Sequence, residues 1–291
     1  MSVHYTHAII CRVPMSLRTC AEIQPEEARK QHQALALLLR QIGLDVIEMP
    51  PDEASPLCCY VEDLAIVCNG VALIAKPKES SRIKEIQTLR AVLKKELEIP
   101  LIEIADEQAC LDGGDVLFTG NLFLFFNILY YFYDKKCIDF FSGREFFVGL
   151  SQFTNEGGAQ AVAAAFPEYP CTPIKVSESN RLKTLVTMAG PDVICVSSGK
   201  SSQEVLKRIE REATYSYQTL TVPEDTAANV LYVNGVLIHR SPEEIPQSSK
   251  LFAEKIDFPS KPVCIQELAK VSSGLTSCCL LVRKPRLIRN I

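Results

Sequence analysis

The chain has 291 residues, of which 47% are apolar and 23% charged, and its formal net charge is −4 at pH 7. This balance supplies enough apolar material for a large core, and the absence of basic runs interleaved with aromatics excludes a nucleic-acid-binding surface. A slightly acidic chain suits a small cationic substrate instead. No basic stretch precedes an apolar core at the N-terminus, so we predict no secretory signal and a cytoplasmic protein.

One order of elements repeats along the chain: strand, short turn, strand, amphipathic helix, strand. The clearest copy predicts strands at 64–68 and 71–75, a helix over 81–97 and a strand at 100–104. Asn69-Gly70 joins its first two strands, Asn234-Gly235 holds the same place in a later copy, and Asn-Gly between apolar runs favours a tight hairpin. Further copies are predicted over 115–176, 192–222 and 228–266, and a fifth is split between 275–282 and 7–49.

Five such units predict a five-bladed α/β propeller over residues 1–291, a single domain with helices outside and strands around a central site. The first and last segments would close the ring. A two-domain doubly wound fold is the alternative, and it fits less well because no linker composition marks a boundary. No Gly-rich phosphate loop follows any strand, so nucleotide binding has no support.

The segment 111–118, Leu-Asp-Gly-Gly-Asp-Val-Leu-Phe, places two carboxylates around a glycine pair ahead of an apolar strand. Glycines permit tight turns and close approach of a ligand, so Asp112 and Asp115 can point into a site. The structural alternative is an acidic turn feeding a strand. The twelve cysteines contain no Cys-x-x-Cys and predict neither a zinc framework nor a disulfide ladder.

Several segments together resemble the dimethylarginine dimethylaminohydrolases of the guanidine-modifying superfamily, which includes arginine deiminase. The matching segments are Thr6-His7-Ala8, Tyr60 to Asp63, Leu111 to Gly120, Arg144 to Ser151, Met188 to Pro191, His239 to Glu244 and Cys278-Cys279. The resemblance spans nearly the whole chain. It implies a pentein fold and hydrolysis of Nω-methylated arginines to citrulline with release of methylamine or dimethylamine.

The resemblance also assigns roles to particular residues. Glu62, Asp63 and Asp112 are expected to grip the planar guanidinium, whose forked donors match carboxylates. Arg82 matches a family arginine suited to the substrate carboxylate. No metal and no organic cofactor are implied.

Cys278 is the expected nucleophile, and its thiolate would attack the guanidinium carbon to form a thiouronium intermediate. Cys279 remains an alternative nucleophile. The pair can also be read as two strand residues on opposite faces, one buried and one exposed.

Three positions depart from the family. Arg181 stands where the catalytic histidine is expected, and an arginine cannot give up a proton at neutral pH. Leu57 and Phe153 replace an expected aspartate and an expected arginine of the substrate site. The departures predict poor turnover, and the alternative is a catalytically inactive relative that serves as a binding or regulatory scaffold.

An insertion at 121–143 separates two segments that should form a direct hairpin. It holds nine of the 22 Phe and Tyr residues of the chain, yet its apolar run at 122–133 is too short to cross a bilayer as a helix, which needs about 20 residues. Its Phe, Leu, Ile, Tyr, Asn and Lys residues are specified largely by A/T-rich codons, which favours a translated intron. As a genuine loop it would be a lid or an oligomer contact.

Overall fold

The computed structural model describes residues 4–120, 145–176, 180–271 and 274–284. Its strands are β1 (His7–Cys11), β2 (Asp45–Met49), β3 (Ala65–Cys68), β4 (Val71–Ile74), β5 (Leu101–Ile102), β6 (Val116–Phe118), β7 (Phe146–Leu150), β8 (Cys171–Lys175), β9 (Val186–Gly190), β10 (Val193–Ser197), β11 (Gln218–Val222), β12 (Leu231–Val233), β13 (Val236–Arg240), β14 (Ser260–Val263) and β15 (Leu280–Val282). The helices are α1 (Pro25–Gln41), α2 (Ile83–Ala91), α3 (Glu156–Ala165), α4 (Leu182–Leu185), α5 (Lys200–Glu212) and α6 (Pro246–Lys255).

The strands form five three-stranded sheets of the same topology: β15-β1-β2, β3-β4-β5, β6-β7-β8, β9-β10-β11 and β12-β13-β14. The middle strand of each sheet pairs antiparallel with the strand before it and parallel with the strand after it. A helix connects the two parallel strands in each case, as a parallel pair requires. The five predicted strand–strand–helix–strand units are therefore present.

Two predicted hairpin turns have the expected backbone conformation. Asn69 and Gly70 have φ of 49° and 74°, and Asn234 and Gly235 have φ of 51° and 85°. Asparagine and glycine tolerate this left-handed region, which matches the right-handed twist of the flanking strands. The turns therefore fix the register of β3 with β4 and of β12 with β13.

The sequence predictions were wrong at three places. The strand β9 and the short helix α4 before it were missed. The apolar residues of Leu182–Leu185 and Val186–Gly190 show neither the spacing of a helix nor the alternation of a strand. The last strand of the fourth unit lies at Ser260–Val263 rather than at 263–266. The segment 275–282 does not begin as a strand: Thr276–Cys278 forms a 3₁₀ turn, and β15 starts only at Leu280.

Apolar faces of the helices pack on the sheets and form the core. On α1, Leu35 and Leu39 lie on one face at i,i+4 spacing, and both are fully buried against the strand residues Ala8 and Ile10. Burying one leucine side chain stabilises the fold by roughly 1.5–3 kcal/mol, so each helix is held mainly by its packing. The sheets are thereby kept in fixed positions, and so are the turns that precede them.

The hairpin around the insertion is formed as predicted. Val116 on β6 pairs with Val148 on β7, and Phe118 pairs with Phe146. The segment 121–143 itself, predicted as a translated intron or a loop, lies outside the described residues. Over the described ranges, none of the helices has the length and apolar character needed to span a membrane.

Candidate active site

Five of the six predicted site residues occupy equivalent places, directly before the first strand of a sheet, whereas Arg82 lies between β4 and α2. The five are Glu62 and Asp63 before β3, Asp112 before β6, Arg181 before α4 and β9, and Cys278 before β15. Arg181 lies within ion-pair distance of both Asp63 and Asp112. Asp63 and Glu62 lie near enough to Cys278 to affect its pKa, although these residues are far apart in the sequence. The fold therefore brings together one group from each of several repeats.

Arg181 and Asp112 form the most extensive ion pair of the site. Nε of Arg181 donates to both carboxylate oxygens of Asp112 at 3.1 Å, and Nη2 donates to Oδ2 at 3.0 Å. The backbone N–H of Gly114 adds a third donor, 2.8 Å from Oδ1. Nη2 of Arg181 also lies 3.5 Å from Oδ2 of Asp63. The residue at the position of the family histidine is thus bound by the site carboxylates.

Two further groups enclose the Arg181 side chain. Its guanidinium carbon lies 4.1 Å from the centre of the Phe153 ring, a cation–π contact. Gly114 also lies against this side chain, because a Cβ atom added at Gly114 would be 2.6 Å from Cδ of Arg181. The glycine that the sequence motif singled out therefore makes room for an arginine side chain.

Arg82 is buried and fully engaged. Nη1 donates to Oδ2 of Asp63 at 2.6 Å, Nε and Nη2 donate to Glu85 at 3.0 and 2.9 Å, and Nη2 also donates to the Tyr60 carbonyl at 2.9 Å. Only 5% of its side chain is exposed. Its contacts are those of a residue that positions Asp63, and its predicted role toward a substrate carboxylate stays a prediction.

Glu62 pairs with Lys183 of α4, whose Nζ lies 2.7 Å from Oε1. Oε2 of Glu62 and Oδ1 of Asp63 are buried, and neither has a hydrogen-bond partner among the described residues. Burial raises the pKa of Glu62, and Lys183 opposes that shift. Buried carboxylate oxygens without donors are costly, and a ligand with N–H groups would satisfy them.

Cys278 is completely buried in its turn, and its Sγ is 3.7 Å from the Gly274 carbonyl. Burial, together with the charges of Asp63 and Glu62, raises the pKa of the Cys278 thiol to about 12, and the charge of Arg240 opposes this shift. Cys279 is also buried, so the prediction of one buried and one exposed cysteine was wrong. Burial raises the pKa of the Cys279 thiol as well. Both thiols are therefore protonated at neutral pH in this state.

Asp112 is the carboxyl group most affected by its surroundings. Burial, with the nearby charge of Asp63, raises the pKa of Asp112 to about 7, while the Arg181 guanidinium opposes the shift. This value already includes the guanidinium, so loss of Arg181 would raise the pKa of Asp112 further. The ion pair with Arg181 therefore favours the charged form of Asp112.

A cleft of about 690 Å³ opens at this site. All three departures from the family pattern, Leu57, Phe153 and Arg181, line it, together with Lys200 and Arg240. The Nε of Arg240 is buried without a hydrogen-bond partner among the described residues, and its Nη1 lies 3.6 Å from Glu244. The three departures from the family pattern therefore change the wall of one cleft, through which a ligand would enter.

Several residues at the site were missed by sequence reasoning. Asn229, before β12, donates to Thr276 Oγ1 at 3.1 Å and to the Lys183 carbonyl at 2.7 Å, and so connects three units. The signal was available, since both Asn229 and Thr276 occupy the same place in their repeats as Asp112. Within the described ranges, no three His, Cys, Asp or Glu side chains are placed so that they could hold a metal ion.

Five repeated units with a buried cysteine, paired carboxylates and a lined cleft define a mixed α/β protein of the pentein type. Comparison with known proteins is consistent with this class. A human protein named putative hydrolase DDAH2 is 33% identical over 292 residues, covering 95% of this chain and 94% of that protein. A dimethylarginine dimethylaminohydrolase of Streptomyces coelicolor is 27% identical over 261 residues, covering 88% and 85%. No family model matches the chain.

Solved structures with the same fold include a Pseudomonas aeruginosa DDAH, a cysteine-to-serine mutant complexed with citrulline. Its TM-score is 0.74 at 20% sequence identity, and the match covers 96% of this chain and 99% of that chain. The N-terminal domain of ArgZ, a cyanobacterial arginine dihydrolase, has a TM-score of 0.71, 14% identity, and coverage of 97% and 98%. The chain belongs to the dimethylarginine dimethylaminohydrolase family of amidinohydrolases.

Proposed function

We propose that this protein hydrolyses asymmetric dimethylarginine and monomethylarginine to citrulline, and that its turnover is severely slowed by Arg181. The observation that carries the proposal is the pair of orphaned carboxylate oxygens, Glu62 Oε2 and Asp63 Oδ1, close enough to Cys278 for their charges to raise its pKa. A guanidinium supplies the N–H donors that these oxygens lack, and it would lie beside the thiol.

In the proposed reaction the Cys278 thiolate adds to the guanidinium carbon, and the methylated nitrogen must gain a proton before its bond to carbon breaks. Water then adds to the thiouronium carbon and gives up its two protons, one replacing the proton used in the first step and one protonating the released amine, and the carbon–sulfur bond breaks to release citrulline and the thiolate. A bound cation beside Cys278 would lower its pKa toward the thiolate. Cys278 is preferred to Cys279 because it lies in the turn Thr276–Cys278 beside the carboxylates.

The expected impairment comes from the proton transfers. Arg181 holds the position of the family base, and it is charged and bound to Asp112. General acid–base assistance contributes about 10²–10⁴ in rate, so its loss leaves a slow enzyme. The same ion pair favours the second candidate, a catalytically inactive relative that uses the fold as a binding or regulatory scaffold.

We also propose that the five sheets are the blades of one closed propeller over residues 1–291, because β15 from the C-terminal region and β1 and β2 from the N-terminal region share a sheet. The eleven described cysteines are all free thiols, which supports action in the reducing cytoplasm.

The decisive experiment measures citrulline release from asymmetric dimethylarginine by the purified protein, Cys278→Ser, Arg181→His and Arg90→His. Arg90 pairs with exposed Glu103 away from the site and serves as the matched control. We expect slow release that Cys278→Ser abolishes, and a gain of about 10²-fold or more in Arg181→His only. Folded protein without release in any variant would favour the scaffold.

A further inference from the structure

We propose that Arg181 is a built-in ligand: its guanidinium fills the guanidinium-binding subsite of its own chain, and the subsite accepts a free guanidinium cation when that side chain is removed. The inference rests on the proposed function only in assigning Asp63 to the substrate guanidinium, to which the family resemblance adds Asp112. Its own support is the set of contacts around Arg181.

Those contacts reproduce what a guanidinium ligand requires. Asp112 accepts three N–H bonds from Arg181 at 3.0–3.1 Å, and Asp63 lies 3.5 Å away on the same side. The Phe153 ring covers the guanidinium at 4.1 Å. Planar, forked donors, two carboxylates and an aromatic ring are the usual elements of arginine recognition.

The shape of the subsite, as well as its negative charge, is complementary to an alkyl chain that ends in a guanidinium. A Cβ at Gly114 would lie 2.6 Å from Arg181 Cδ and 3.3 Å from Nε, so the missing side chain leaves the path that the arginine follows. Any alkyl-guanidinium reaching Asp112 along this path would need the same clearance.

The occupied subsite faces the cleft. Arg181 lines the cleft of about 690 Å³, and 12% of its side chain is exposed. Arg82, the other buried arginine beside Asp63, has only 5% exposed and donates to Glu85 as well. Loss of the Arg181 side chain therefore opens the subsite to solvent, whereas Arg82 remains as a fixed partner of Asp63.

A tethered ligand competes with a free one at an effective concentration in the millimolar range. The wild-type protein should therefore not respond to guanidinium ions at low millimolar concentration. When Arg181 is truncated to alanine, Asp112 and Asp63 face an open cavity with one cation fewer, and a small guanidinium can restore both the charge and the donors.

The test measures the melting temperature of wild type, Arg181→Ala and Arg90→Ala in methylguanidinium chloride at low millimolar concentration, against sodium chloride at equal ionic strength. We expect a saturable rise of about 2–4 °C in Arg181→Ala at roughly tenfold its dissociation constant, and none in the other two. Arg90→Ala frees one exposed carboxylate, Glu103, and so controls for nonspecific pairing.

A second pair of variants keeps the test decisive. Arg181→Gln removes the charge with less loss of volume, so it serves if the alanine variant folds poorly, and recovery of folding by methylguanidinium alone would support the proposal. Adding Asp112→Asn to Arg181→Ala should abolish the response. Folded Arg181→Ala and Arg181→Gln that show no saturable response, or a wild type that responds equally, would overturn it. Because the readout is binding, this failure is distinct from absent citrulline release.

Discussion

Removing the charge of Asp112 tests how much the Arg181–Asp112 pair stabilises the fold. In Asp112→Asn the amide still fills the space, but the guanidinium loses the carboxylate that accepts all three of its bonds. Asp112 is 4% exposed and only 12% of the Arg181 side chain is exposed, so water can replace little of the lost interaction. We expect a loss of about 3–5 kcal/mol in unfolding free energy.

Removing the charge of Arg181 instead should lower the unfolding free energy by less. In Arg181→Met the partner left behind is a carboxyl group whose pKa burial has already raised to about 7, so it can bind a proton and become neutral. An arginine has no such option because it cannot lose its proton. We expect about 1–3 kcal/mol for Arg181→Met at pH 7.

The sign of the pH dependence follows from the same shift. In Arg181→Met the folded-state pKa of Asp112 rises further above its unfolded value, so the folded state holds a proton that the unfolded state has released. Stability of the variant is then fully present at low pH and is lost as pH rises through the folded pKa, by up to about 1.4 kcal/mol per pH unit.

The assay is urea unfolding of wild type, both single variants and the double variant, with Arg90 and Glu103 as a matched exposed pair. That pair has two hydrogen bonds, at 2.8 and 2.6 Å, but its side chains are 31% and 52% exposed. The coupling energy should be at least about 2 kcal/mol for the buried pair and about 0.2–1 kcal/mol for the exposed one. Equal coupling in the two cycles would refute the argument from burial.

Three further predictions concern neighbouring groups. Burial lowers the pKa of His32 to about 4, so between pH 4 and 6.5 the folded state binds fewer protons than the unfolded state. Stability therefore falls as pH drops through that range. In His32→Leu, urea unfolding should show a smaller fall. Arg240 lowers the pKa of Cys278, so Arg240→Gln should slow alkylation of Cys278 in native protein, followed by peptide mass spectrometry, and unchanged alkylation would contradict it. Gly114→Ala should cost about 1–3 kcal/mol because its Cβ would meet Arg181, and Arg181→Ala should relieve part of that cost in thermal unfolding.

The repeat was predictable because its signals are local. Asn69-Gly70 and Asn234-Gly235 fix two hairpins by backbone preference alone, and the amphipathic spacing of α1 and α5 gives both helices. The strand β9 was missed because Met-Ala-Gly carries little β preference, and its place is set by pairing with β10. In such segments, pairing with a neighbouring strand determines the secondary structure.

The sequence predicts which residues form the candidate site, but it could not predict their contacts. The sequence indicated that Arg181 cannot act as a base, yet its partner Asp112 is 69 residues away, and only the fold brings the two together. Arg82 likewise looked available to a substrate, whereas Asp63 and Glu85 hold it in the structure. Burial and pairing of charged groups depend on distant segments, which local patterns do not record.

The sheet β15-β1-β2 joins the two ends of the described chain, and the turn that carries Cys278 leads directly into β15. During synthesis on the ribosome, β1 and β2 are made more than 200 residues before β15, so the third strand of their sheet joins them late. Cys278, the proposed nucleophile, can therefore take its place only after the segments that carry Glu62, Asp63 and Asp112 have been made. A chain that ended before Cys278 would carry those carboxylates without the thiol, so the proposed chemistry requires synthesis at least as far as this turn.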